Sequence, residues 1–465
     1  MKTNHPKEVT LTVANDCLLE NIPIDFERRI KDELTIDNPK YIAARRYGRW
    51  VGKKLKPQLK YYEQVPTGIR FPRGFSNTAV LLCREQLAVS PRIVDNRRLL
   101  DEIRLDFNGE LREYQEQAVA AVAKHSFGVL EAGTGSGKTI MALALIALRR
   151  QPVLIVVHTK ELLYQWRDRI LEFLQVTPGL IGDGHNERAD VTVAIVNSAR
   201  KQAAELAPFF GHLIVDECHR VPASLFTDVV SAFDSQYLLG LSATAFRSDD
   251  QMTRLIYFYM GDPVYKVDQD QLTASGAIVK PKVIVSPTDF DYRYRGDYQA
   301  LITALTAHEG RNRQIIDDIT AVAAKDKRGT SLVVSDRVSH CRVFAEALQR
   351  QGVRAALLTG QTPAEKRAVI VDEVQQGKLQ VLVATLQLIS EGFDCPGLNN
   401  LFLTTPITFE GRLLQVIGRI MRPAEGKQAR VYDYLDHNVS ALRKSANIRH
   451  KTLRKVLEPV VLRGQ

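Results

Sequence analysis

The glycine-rich stretch from Glu131 to Thr139, which reads Glu-Ala-Gly-Thr-Gly-Ser-Gly-Lys-Thr, constrains the fold of this chain more than any other feature. Before it lies an apolar run, residues 126–130, with the length of a buried strand, and after it residues 140–145 are rich in strong helix formers. In a strand–loop–helix unit, the backbone N–H groups of the loop and the positive end of the helix dipole point at the same place. The sequence therefore predicts a phosphate-binding loop, in which Ala132 replaces the first glycine of the usual pattern.

The residue types in the loop predict how a nucleotide would be held. Its glycines let successive backbone N–H groups point inward at an anion, Lys138 would reach the β- and γ-phosphates, and Thr139 would ligate Mg²⁺. The predicted nucleotide ligands are Gly133, Thr134, Gly135, Ser136, Gly137, Lys138 and Thr139. On its own, such a loop predicts nucleotide binding and no particular reaction.

A second motif supplies two acids at the end of an apolar segment. Residues 213–219 read Leu-Ile-Val-Asp-Glu-Cys-His, so Asp216 and Glu217 follow directly on a predicted strand. At that end of a central strand, Asp216 can hold the Mg²⁺ that bridges the phosphates, and Glu217 can orient and deprotonate the attacking water. The two motifs together predict nucleotide hydrolysis, and we expect the neighbouring Cys218 to be a buried apolar residue.

Length and composition place the chain among ordinary globular proteins. Its 465 residues predict two to four domains, and 45% of them are hydrophobic and 25% charged. The formal net charge of +10 predicts a polyanionic partner if the basic residues cluster, and only solubility if they are spread evenly. No apolar run approaches the ~20 residues that span a bilayer, the N-terminus has no signal-peptide core, and the five scattered cysteines fit a reduced, cytoplasmic setting without a membrane partner.

The hydrophobic pattern divides the chain into three parts. From about Leu111 onward, short β-rich runs alternate with helical stretches, as in parallel sheets covered by helices, and residues 276–295 separate two such series as a linker with some strand character. Residues 1 to about 107 are more weakly patterned and predict a smaller mixed α+β section. The predicted strands are 127–131, 153–157, 191–195, 212–216, 237–241, 331–335, 355–358, 381–385, 401–404 and 429–432.

The N-terminal section contains a basic window, residues 39–62, with eight basic residues and no acidic ones. Aromatic residues lie between the basic ones, so the basic side chains could neutralise phosphates while aromatic faces stack on bases. The alternative is an amphipathic helix with a solvated basic face and its aromatics in the core. The candidate nucleic-acid contacts in the window are Arg45, Arg46, Arg49 and Trp50.

Several further motifs follow the glycine-rich loop in a fixed order. Residues 216–219, Asp-Glu-Cys-His, are a variant of the box that names the DEAD/DEAH families, and residues 415–422, Gln-Val-Ile-Gly-Arg-Ile-Met-Arg, match an arginine motif fully. From about residue 108 to 440 the chain thus resembles a superfamily 2 helicase. The resemblance implies ATP and Mg²⁺ as cofactors. It also implies an α/β fold of two tandem RecA-like doubly wound parallel-sheet domains, with a smaller N-terminal α+β accessory domain.

The resemblance also implies roles for residues outside the loop and the acid box. In nucleotide binding and hydrolysis these are Arg112 and Gln115, of which the glutamine reads adenine, and Gly392, Asp394, Gln415, Arg419 and Arg422. The residues that would couple hydrolysis to movement are His219, Ser242 and Thr244. The residues that would contact the nucleic acid are Thr159, Lys160, Asn197, Arg337, Gly360 and Thr385.

The arginine motif would complete the chemistry of the acid box, because the first predicted domain supplies no arginine for the transition state. Arg419 and Arg422 lie three residues apart, which predicts one helical face. From a second domain they would reach the γ-phosphate only when the cleft closes, so that hydrolysis and closure are one event and drive alternating grip on a strand. The alternative is a surface pair in structural salt bridges.

Within the superfamily, the chain looks most like the XPB/UvsW-like DNA helicases. Residues 242–250 are similar to a segment of that group that trails into an Arg-x-Asp motif, although Ser248 stands where the group often has Glu. The resemblance implies action on DNA and 3′→5′ movement. We expect four parts: a DNA-binding accessory section, 1–107; an ATP-binding domain, 108–277; a second helicase domain, 278–440; and a basic C-terminal helix, 441–465, which either caps the second domain or contacts DNA.

The leading prediction is an ATP-dependent DNA helicase or translocase that remodels branched or duplex DNA in repair or recombination. One alternative is an RNA helicase, because such motors contact phosphates more than base edges. Another is the motor subunit of a restriction or defence complex, whose nuclease would lie on a partner chain. A non-catalytic nucleotide switch is disfavoured, since it has no need of Lys138, Asp216, Glu217 and Arg422 together.

Overall fold

The computed structural model of the chain describes residues 8–46, 50–52, 55–219, 223–243, 251–326, 329–390, 395, 397–424, 426–457 and 460–462. The chain divides into two compact units. The first unit comprises residues 1–132 and 137–267, and the second comprises residues 133–136 and 268–465. The predicted boundaries at residues 107, 277 and 440 are finer divisions than this one and stay predictions.

The N-terminal section of the first unit is a small α+β structure. Its elements are β1 Thr10–Val13, β2 Asp16–Glu20, α1 Ile24–Glu33, β3 Thr35–Asp37, α2 Pro39–Arg46, β4 Gln58–Lys60, β5 Glu63–Val65, β6 Gly68–Pro72, α3 Ser76–Leu87 and β7 Arg92–Asp95. Among the described residues, five strands form a mostly antiparallel sheet in the order β5-β6-β2-β1-β7, and β3 pairs with β4. Alternate strand residues such as Leu11, Leu19, Ile69 and Phe71 are buried against Ile30 of α1.

This section packs on the rest of the first unit through buried polar contacts. The side chain of Arg73 is buried, and its Nη1 donates to the carbonyl oxygen of Ser235 at 2.7 Å. Burial lowers the pKa of Arg73 to about 10. Arg98 forms a two-bond pair with the carboxylate of Asp234, each bond 2.9 Å long, and the ring of Phe258 joins the N-terminal core. The N-terminal section is therefore built into the first unit.

Residues 108–267 form an α/β structure around a mainly parallel sheet. Its elements are α4 Glu113–Ala123, β8 Phe127–Glu131, α5 Lys138–Arg149, β9 Val153–Val157, α6 Lys160–Phe173, β10 Gly179–Gly182, β11 His185–Asn186, β12 Val191–Ile195, α7 Val196–Lys201, α8 Ala203–Leu206, β13 His212–Val215, α9 Ala223–Val230, β14 Tyr237–Ser242, α10 Gln251–Met260 and β15 Pro263–Lys266. Within the described ranges the strand order is β11-β10-β12-β9-β13-β14-β8-β15, and β10 and β11 form the antiparallel pair. Strands β9 and β13 are buried along their whole length, as central parallel strands are.

The second unit contains a parallel sheet of its own. Its elements are α11 Gln269–Ala274, β16 Lys282–Pro287, α12 Tyr298–Ala307, α13 Glu309–Lys325, β17 Thr330–Ser335, α14 Val338–Arg350, β18 Ala355–Leu358, α15 Ala364–Gln375, β19 Val381–Thr385, α16 Leu386–Ser390, β20 Leu398–Leu403, α17 Glu410–Gly418, β21 Arg430–Leu435, α18 Ser440–Val456 and β22 Val460–Leu462. For the residues described, the strand order is β18-β19-β17-β20-β21-β16-β22, and every pair is parallel. The two parallel sheets confirm the predicted α/β class.

Several strands of the two α/β sheets differ from the prediction. Residues 276–295 are predicted as a linker with some strand character, and β16 confirms the strand character, because it pairs with β21 and β22 and belongs to the second sheet. Strands β10, β11, β15 and β22 were not predicted. Glycine at both ends of β10 and proline at the start of β15 weaken the strand pattern, because these residues are typical of turns and edges.

The basic C-terminal helix α18 packs in the second unit through its charged residues. Nε of Arg449 donates to Oδ1 of Asp433 at 2.9 Å, and Nε2 of His450 lies 2.7 Å from Oδ2 of the same carboxylate. Burial raises the pKa of Asp433, but Arg449 and His450 outweigh it and hold the pKa below its ordinary value. The helix thus forms part of the fold of this unit, as in the first of the two predicted alternatives.

Candidate functional site

The glycine-rich loop connects β8 to α5, as its sequence predicts. Gly135 and Gly137 have left-handed backbone angles, φ 87° and φ 79°, which glycine adopts readily. A Cβ atom at Gly137, the N-cap of α5, would lie 2.4 Å from Nε2 of Gln115, so a larger residue does not fit. At Gly133 a Cβ atom would meet nothing closer than 3.9 Å. Two of the three glycines are therefore required by the local geometry.

The lysine of the loop contacts the acid box. Lys138 is the first residue of α5, and its Nζ lies 3.2 Å from Oε1 of Glu217. Asp216 follows the end of β13, where its backbone N–H donates to the Val156 carbonyl oxygen at 2.9 Å. The Glu217 N–H donates to Oδ1 of Asp216 at 2.9 Å. The structure thus brings together the phosphate-loop lysine and both predicted acids.

Burial and like charge perturb the two acids. Burial, and then the neighbouring Glu217 carboxylate, raise the pKa of Asp216 to about 6, while Lys138 and Trp166 oppose this rise. Glu217 has a positive φ of 47°, a left-handed conformation that costs a non-glycine residue energy. Adjacent carboxylates, one buried and one half-buried, on a strained turn are typical of sites that bind a cation.

Trp166 is a residue of this site that sequence reasoning missed. It is buried on α6, and its indole Nε1–H donates to Oδ2 of Asp216 at 2.8 Å. Each Asp216 oxygen therefore has a donor, which fixes the orientation of the carboxylate. No local pattern predicts this contact, because Trp166 lies fifty residues from Asp216 in an ordinary amphipathic helix.

His219 contacts a residue of the predicted coupling motif. The hydroxyl of Ser242, the last residue of β14, lies 3.0 Å from Nδ1 of His219, and the same nitrogen lies 3.4 Å from Oε2 of Glu217. Glu217, His219 and Ser242 thus form a continuous polar chain. The adjacent Cys218 is buried, as predicted, and burial raises its pKa.

The predicted adenine-reading segment caps α4. Oε1 of Gln115 accepts from the backbone N–H of Arg112 at 2.9 Å, and the backbone N–H of Gln115 donates to the Arg112 carbonyl oxygen at 2.8 Å, so these two bonds close the start of the helix. Gln115 is buried, and its amide nitrogen faces Gly137. In this arrangement the glutamine supports the loop, and its role in reading adenine stays a prediction.

Oxygen donors suited to Mg²⁺ follow the carboxyl ends of two strands. Thr139 stands in the first turn of α5 after β8, and the Asp216 carboxylate follows β13. Mg²⁺ in phosphate sites usually takes one or two protein oxygens and completes its shell with phosphates and waters. A buried carboxylate with a raised pKa is stabilised in its ionised form by a cation, so this donor set fits the metal.

The predicted nucleic-acid residues of the first unit follow two adjacent parallel strands. Thr159 and Lys160 follow β9, and Asn197 follows β12, which pairs with β9. Lys160 and Asn197 are exposed, whereas the hydroxyl of Thr159 caps α6 by accepting from the Leu162 N–H at 3.3 Å. The three residues share one edge of the sheet.

The predicted nucleic-acid residues of the second unit lie at the ends of three neighbouring strands, β17, β18 and β19. Arg337 is the N-cap of α14, Gly360 lies two residues beyond β18, and Thr385 ends β19. A Cβ atom at Gly360 would meet nothing within 4 Å, so the backbone there is open, whereas Thr385 is buried. Arg337 and Gly360 are therefore the more accessible candidates.

The arginine motif only partly follows its prediction. Helix α17 ends at Gly418 with Arg419 as its C-cap, so Arg422 lies beyond the helix and the predicted shared helical face is wrong. The turn tightens here, with i to i−3 bonds that end at Met421. Nε of Arg419 donates to the Ile389 carbonyl oxygen at 3.1 Å, and Oε1 of the buried Gln415 has no hydrogen-bond partner among the residues described.

The basic window divides between the two alternatives. Tyr61 packs against Phe258 with ring centroids 5.7 Å apart, and Tyr62 borders the same core, so these aromatics are structural. Trp50 is 90% exposed, and the exposed Arg45 lies over the ring of Tyr41 at 6.0 Å. Among its described residues, the window is therefore anchored at its end and exposed at Trp50.

Some predicted residues lie outside the described residues. These are Arg49, Thr244, Gly392 and Asp394, together with the side chain of Arg46 and the segment 247–249. Their roles stay predictions. In the part of the chain that the structure describes, no helix is both long and apolar enough to cross a membrane.

Known families and proteins are similar to this chain over most of its length. The family described as "Type III restriction enzyme, res subunit" matches residues 108–247, and "Helicase conserved C-terminal domain" matches residues 311–424. The "DNA 3'-5' translocase XPB2" of Sulfurisphaera tokodaii is 28% identical over 409 residues, which cover 80% of this chain and 90% of that protein. The "ATP-dependent DNA helicase uvsW" of Enterobacteria phage T4 is 24% identical over 446 residues, 89% of this chain and 86% of that protein.

A solved structure shares the fold. The structure of S. cerevisiae Dbp5 bound to RNA and ADP BeF3 matches with a TM-score of 0.54 at 16% identity, over 75% of this chain and 88% of that one. The match supports two tandem RecA-like domains. The chain belongs to the superfamily 2 helicases, in the XPB/UvsW-like group. As a helicase it is an enzyme that hydrolyses ATP and acts on nucleic acid, and the predicted family is confirmed.

Proposed function

We propose that this helicase uses ATP hydrolysis to move along DNA with 3′→5′ polarity and to remodel branched or duplex DNA. The observation that carries the proposal is the contact of Lys138 with the carboxylate of Glu217, whose backbone N–H donates to Asp216. A phosphate-loop lysine beside two acids is the equipment of a nucleoside triphosphatase. DNA as the substrate is supported by the relatives, which are named a DNA translocase and a DNA helicase.

In the proposed reaction, the polar groups of the first unit have separate tasks. When ATP binds, the Lys138 ammonium group would leave Glu217 and contact the phosphates, because a triphosphate carries more negative charge than one carboxylate does. Glu217 would then be available to orient and deprotonate the attacking water. Mg²⁺, held by Thr139 and Asp216, would neutralise charge on the phosphates. Trp166 keeps Asp216 in place for this task.

Coupling to movement would run through His219. The ring nitrogen Nδ1 contacts both Glu217 and the hydroxyl of Ser242. A change in the contacts of Glu217 on hydrolysis would therefore alter the hydrogen bond to Ser242, at the start of the segment that resembles the coupling motif. These three side chains would thus connect the attacking water to the coupling motif and, through it, to the nucleic-acid strand.

The second unit would supply charge for the transition state. Arg422, the last arginine of the motif, is the proposed finger, and it lies beyond the end of α17. Arg419 donates to the Ile389 carbonyl oxygen and would position the motif. We also propose a cytoplasmic setting and protein partners in a repair, recombination or defence complex, as the sequence predicts.

One panel of substrates tests the proposal. ATP hydrolysis would be measured at fixed salt with single-stranded DNA, duplex, forked DNA, an R-loop and RNA. We expect stimulation by DNA and displacement of a strand from a duplex with a 3′ tail. Stimulation by RNA alone would favour the RNA-helicase alternative, and displacement only from a 5′ tail would overturn the polarity.

A Lys138→Ala variant is the control for that panel. We expect it to abolish hydrolysis on every substrate, because it removes the positive charge that reaches the phosphates. Hydrolysis at the normal rate in this variant would show that the measured ATPase is a contaminant or that the loop is assigned wrongly.

A further inference from the structure

Exposed aromatic side chains lie at the carboxyl edge of the sheet in the second unit. Phe409, between β20 and α17, is 63% exposed, and Tyr298, the first residue of α12 after β16, is 40% exposed. Both therefore follow the carboxyl ends of parallel strands. This is the edge at which α/β sheets bind their ligands. Neither residue belongs to the motifs from which the helicase function was inferred.

Basic side chains join these aromatics into one surface. Arg412 stands three residues after Phe409 at the start of α17, and its Nη1 lies 4.0 Å from Oδ1 of Asp336. The guanidinium of Arg337 donates to the side-chain oxygen of Gln299, the neighbour of Tyr298. We define the aromatic surface as Tyr298, Arg337, Phe409 and Arg412.

Two adjacent residues connect the ends of the aromatic surface. Arg337 contacts Gln299, the neighbour of Tyr298, and Asp336, the residue before Arg337, contacts Arg412. Burial, and then the Asp336 carboxylate, raise the pKa of the Tyr298 hydroxyl.

The loop that carries Phe409 is anchored at both ends. Nη1 of Arg311 donates to the Thr404 carbonyl oxygen at 3.0 Å, and Nε of Arg311 donates to Asp436 at 2.7 Å. The hydroxyl of Thr405 accepts from the Asp336 N–H at 3.0 Å. Phe409 itself is the N-cap of α17 and exposes its ring, although an exposed phenyl ring is unfavourable in water.

We propose that the aromatic surface binds single-stranded nucleic acid by stacking its rings, chiefly that of Phe409, on the bases. The proposal rests on the proposed function, because it names a second mode of contact for the strand that the motor holds. Exposed rings between arginines suit a strand, since every base has a π face and each arginine can neutralise a phosphate. The predicted contacts Arg337, Gly360 and Thr385 lie on strands next to this surface and would hold the backbone.

The distinction between bases and backbone gives a direct test. Binding would be measured by fluorescence anisotropy with two labelled strands of equal length, an oligo(dT) and a strand of abasic residues, at the same salt concentration. The two strands carry the same phosphates and differ in the groups on which rings can stack. The proteins would be the wild type, Phe409→Ala, Tyr298→Ala and Phe409→Trp.

Phe209 supplies a matched control in the first unit. It is an exposed phenylalanine beneath a guanidinium, with Arg188 3.4 Å from its ring centroid. It precedes β13 and lies at the opposite, amino-terminal edge of its sheet. Phe209→Ala thus removes an exposed ring of the same kind outside the proposed surface.

We expect Phe409→Ala to weaken binding of oligo(dT) by about fivefold to 150-fold and Tyr298→Ala by less, since stacking contributes roughly 1–3 kcal/mol per base. Binding of the abasic strand should not change, Phe409→Trp should restore oligo(dT) binding, and Phe209→Ala should bind like the wild type. Equal weakening on both strands, or no weakening on oligo(dT), would overturn the proposal. Wild-type protein that bound neither strand would instead overturn the proposed function.

Discussion

The two parallel sheets of this helicase carry opposite kinds of polar cluster at their carboxyl edges. In the first unit, Asp216 and Glu217 stand side by side near a single lysine, and the pKa of Asp216 is raised to about 6. In the second unit, the buried Arg311 forms two bonds with the carboxylate of Asp436, at 2.7 and 3.2 Å. The first cluster therefore has more negative than positive charge, whereas the arginine and the carboxylate of the second cluster balance each other.

The other polar side chains near Arg311 in the second unit are uncharged, which adds to the difference between the two clusters. The hydroxyl of Ser335 lies 2.9 Å from Nδ1 of His340, and Nε2 of the same ring lies 2.9 Å from Oδ1 of Asn312. Burial, and then Arg311, lower the pKa of His340 to about 3, so the ring is neutral. The two sheets are therefore similar, but their polar clusters differ. The cluster of the first unit is suited to exchanging ligands, whereas the cluster of the second unit is a fixed structural support. Substitutions should affect the reaction in the first and stability in the second.

The largest expected effect concerns an exception to this division, the arginine that follows α17. Arg422→Ala should keep most of the affinity for ATP and lose hydrolysis by about 10³- to 10⁵-fold, because an arginine finger acts on transition-state charge. Single-turnover hydrolysis and nucleotide binding would be measured separately. A parallel loss of affinity and rate would assign Arg422 to ground-state binding.

Glu217→Gln tests the first cluster directly. The variant should bind ATP and turn over about 10²- to 10⁴-fold more slowly, because the amide cannot accept a proton from the water. It also removes a negative charge beside Asp216, so nucleotide affinity should not fall. Lys138→Ala is the contrasting variant, in which phosphate neutralisation is lost. Near-normal turnover of Glu217→Gln would show that another group activates the water.

The support in the second unit should respond in stability. Arg311→Met should lower the free energy of unfolding of the second unit by about 3–5 kcal/mol, because it leaves the Asp436 carboxylate buried without its partner. Urea unfolding would measure the change, and the double variant Arg311→Met/Asp436→Leu should recover much of it. Arg200→Met is the matched control, since its pair with Asp228 is exposed and should contribute about 0–1 kcal/mol.

The comparison also shows which features the sequence could predict. Strands β8, β9 and β12 were predicted to the residue, because buried parallel strands are short apolar runs between turn signals. Lys138, Asp216 and Glu217 were found because local motifs carry them. Trp166 and Arg311 were not, because their hydrogen-bond partners lie far away in the sequence, and no local pattern specifies those partners.

The error at Arg422 has a different cause. Spacing of three residues predicts a shared helical face only if the helix continues, and α17 ends at Gly418. Glycine disfavours the interior of a helix, and Gly418, which belongs to the arginine motif, is the last residue of α17. The aromatic window likewise could not be divided by sequence, since Tyr61 and Trp50 differ only in what packs against them.

The smallest expected effects concern that window and extend the comparison to the N-terminal section. If Arg45, Arg46 and Arg49 contact phosphates, changing all three to Ala should lower the log–log salt dependence of strand binding by about two, since each contact contributes about 0.7–0.9. The slope would be measured by anisotropy over a range of salt concentrations. An unchanged slope would make the basic residues a solvated face.

Trp50→Ala and Tyr61→Ala separate the two roles of the aromatics. Trp50 is 90% exposed, so its removal should leave the melting temperature unchanged and weaken single-strand binding by about 1–3 kcal/mol if the ring stacks on a base. Tyr61 packs on Phe258 and Tyr259, so its removal should lower the melting temperature of the first unit. Because the two rings lie eleven positions apart in one window, the pair controls for local charge. If Trp50→Ala also destabilised the fold and left binding intact, the whole window would be structural, and the strand would be held by the sheet edges alone.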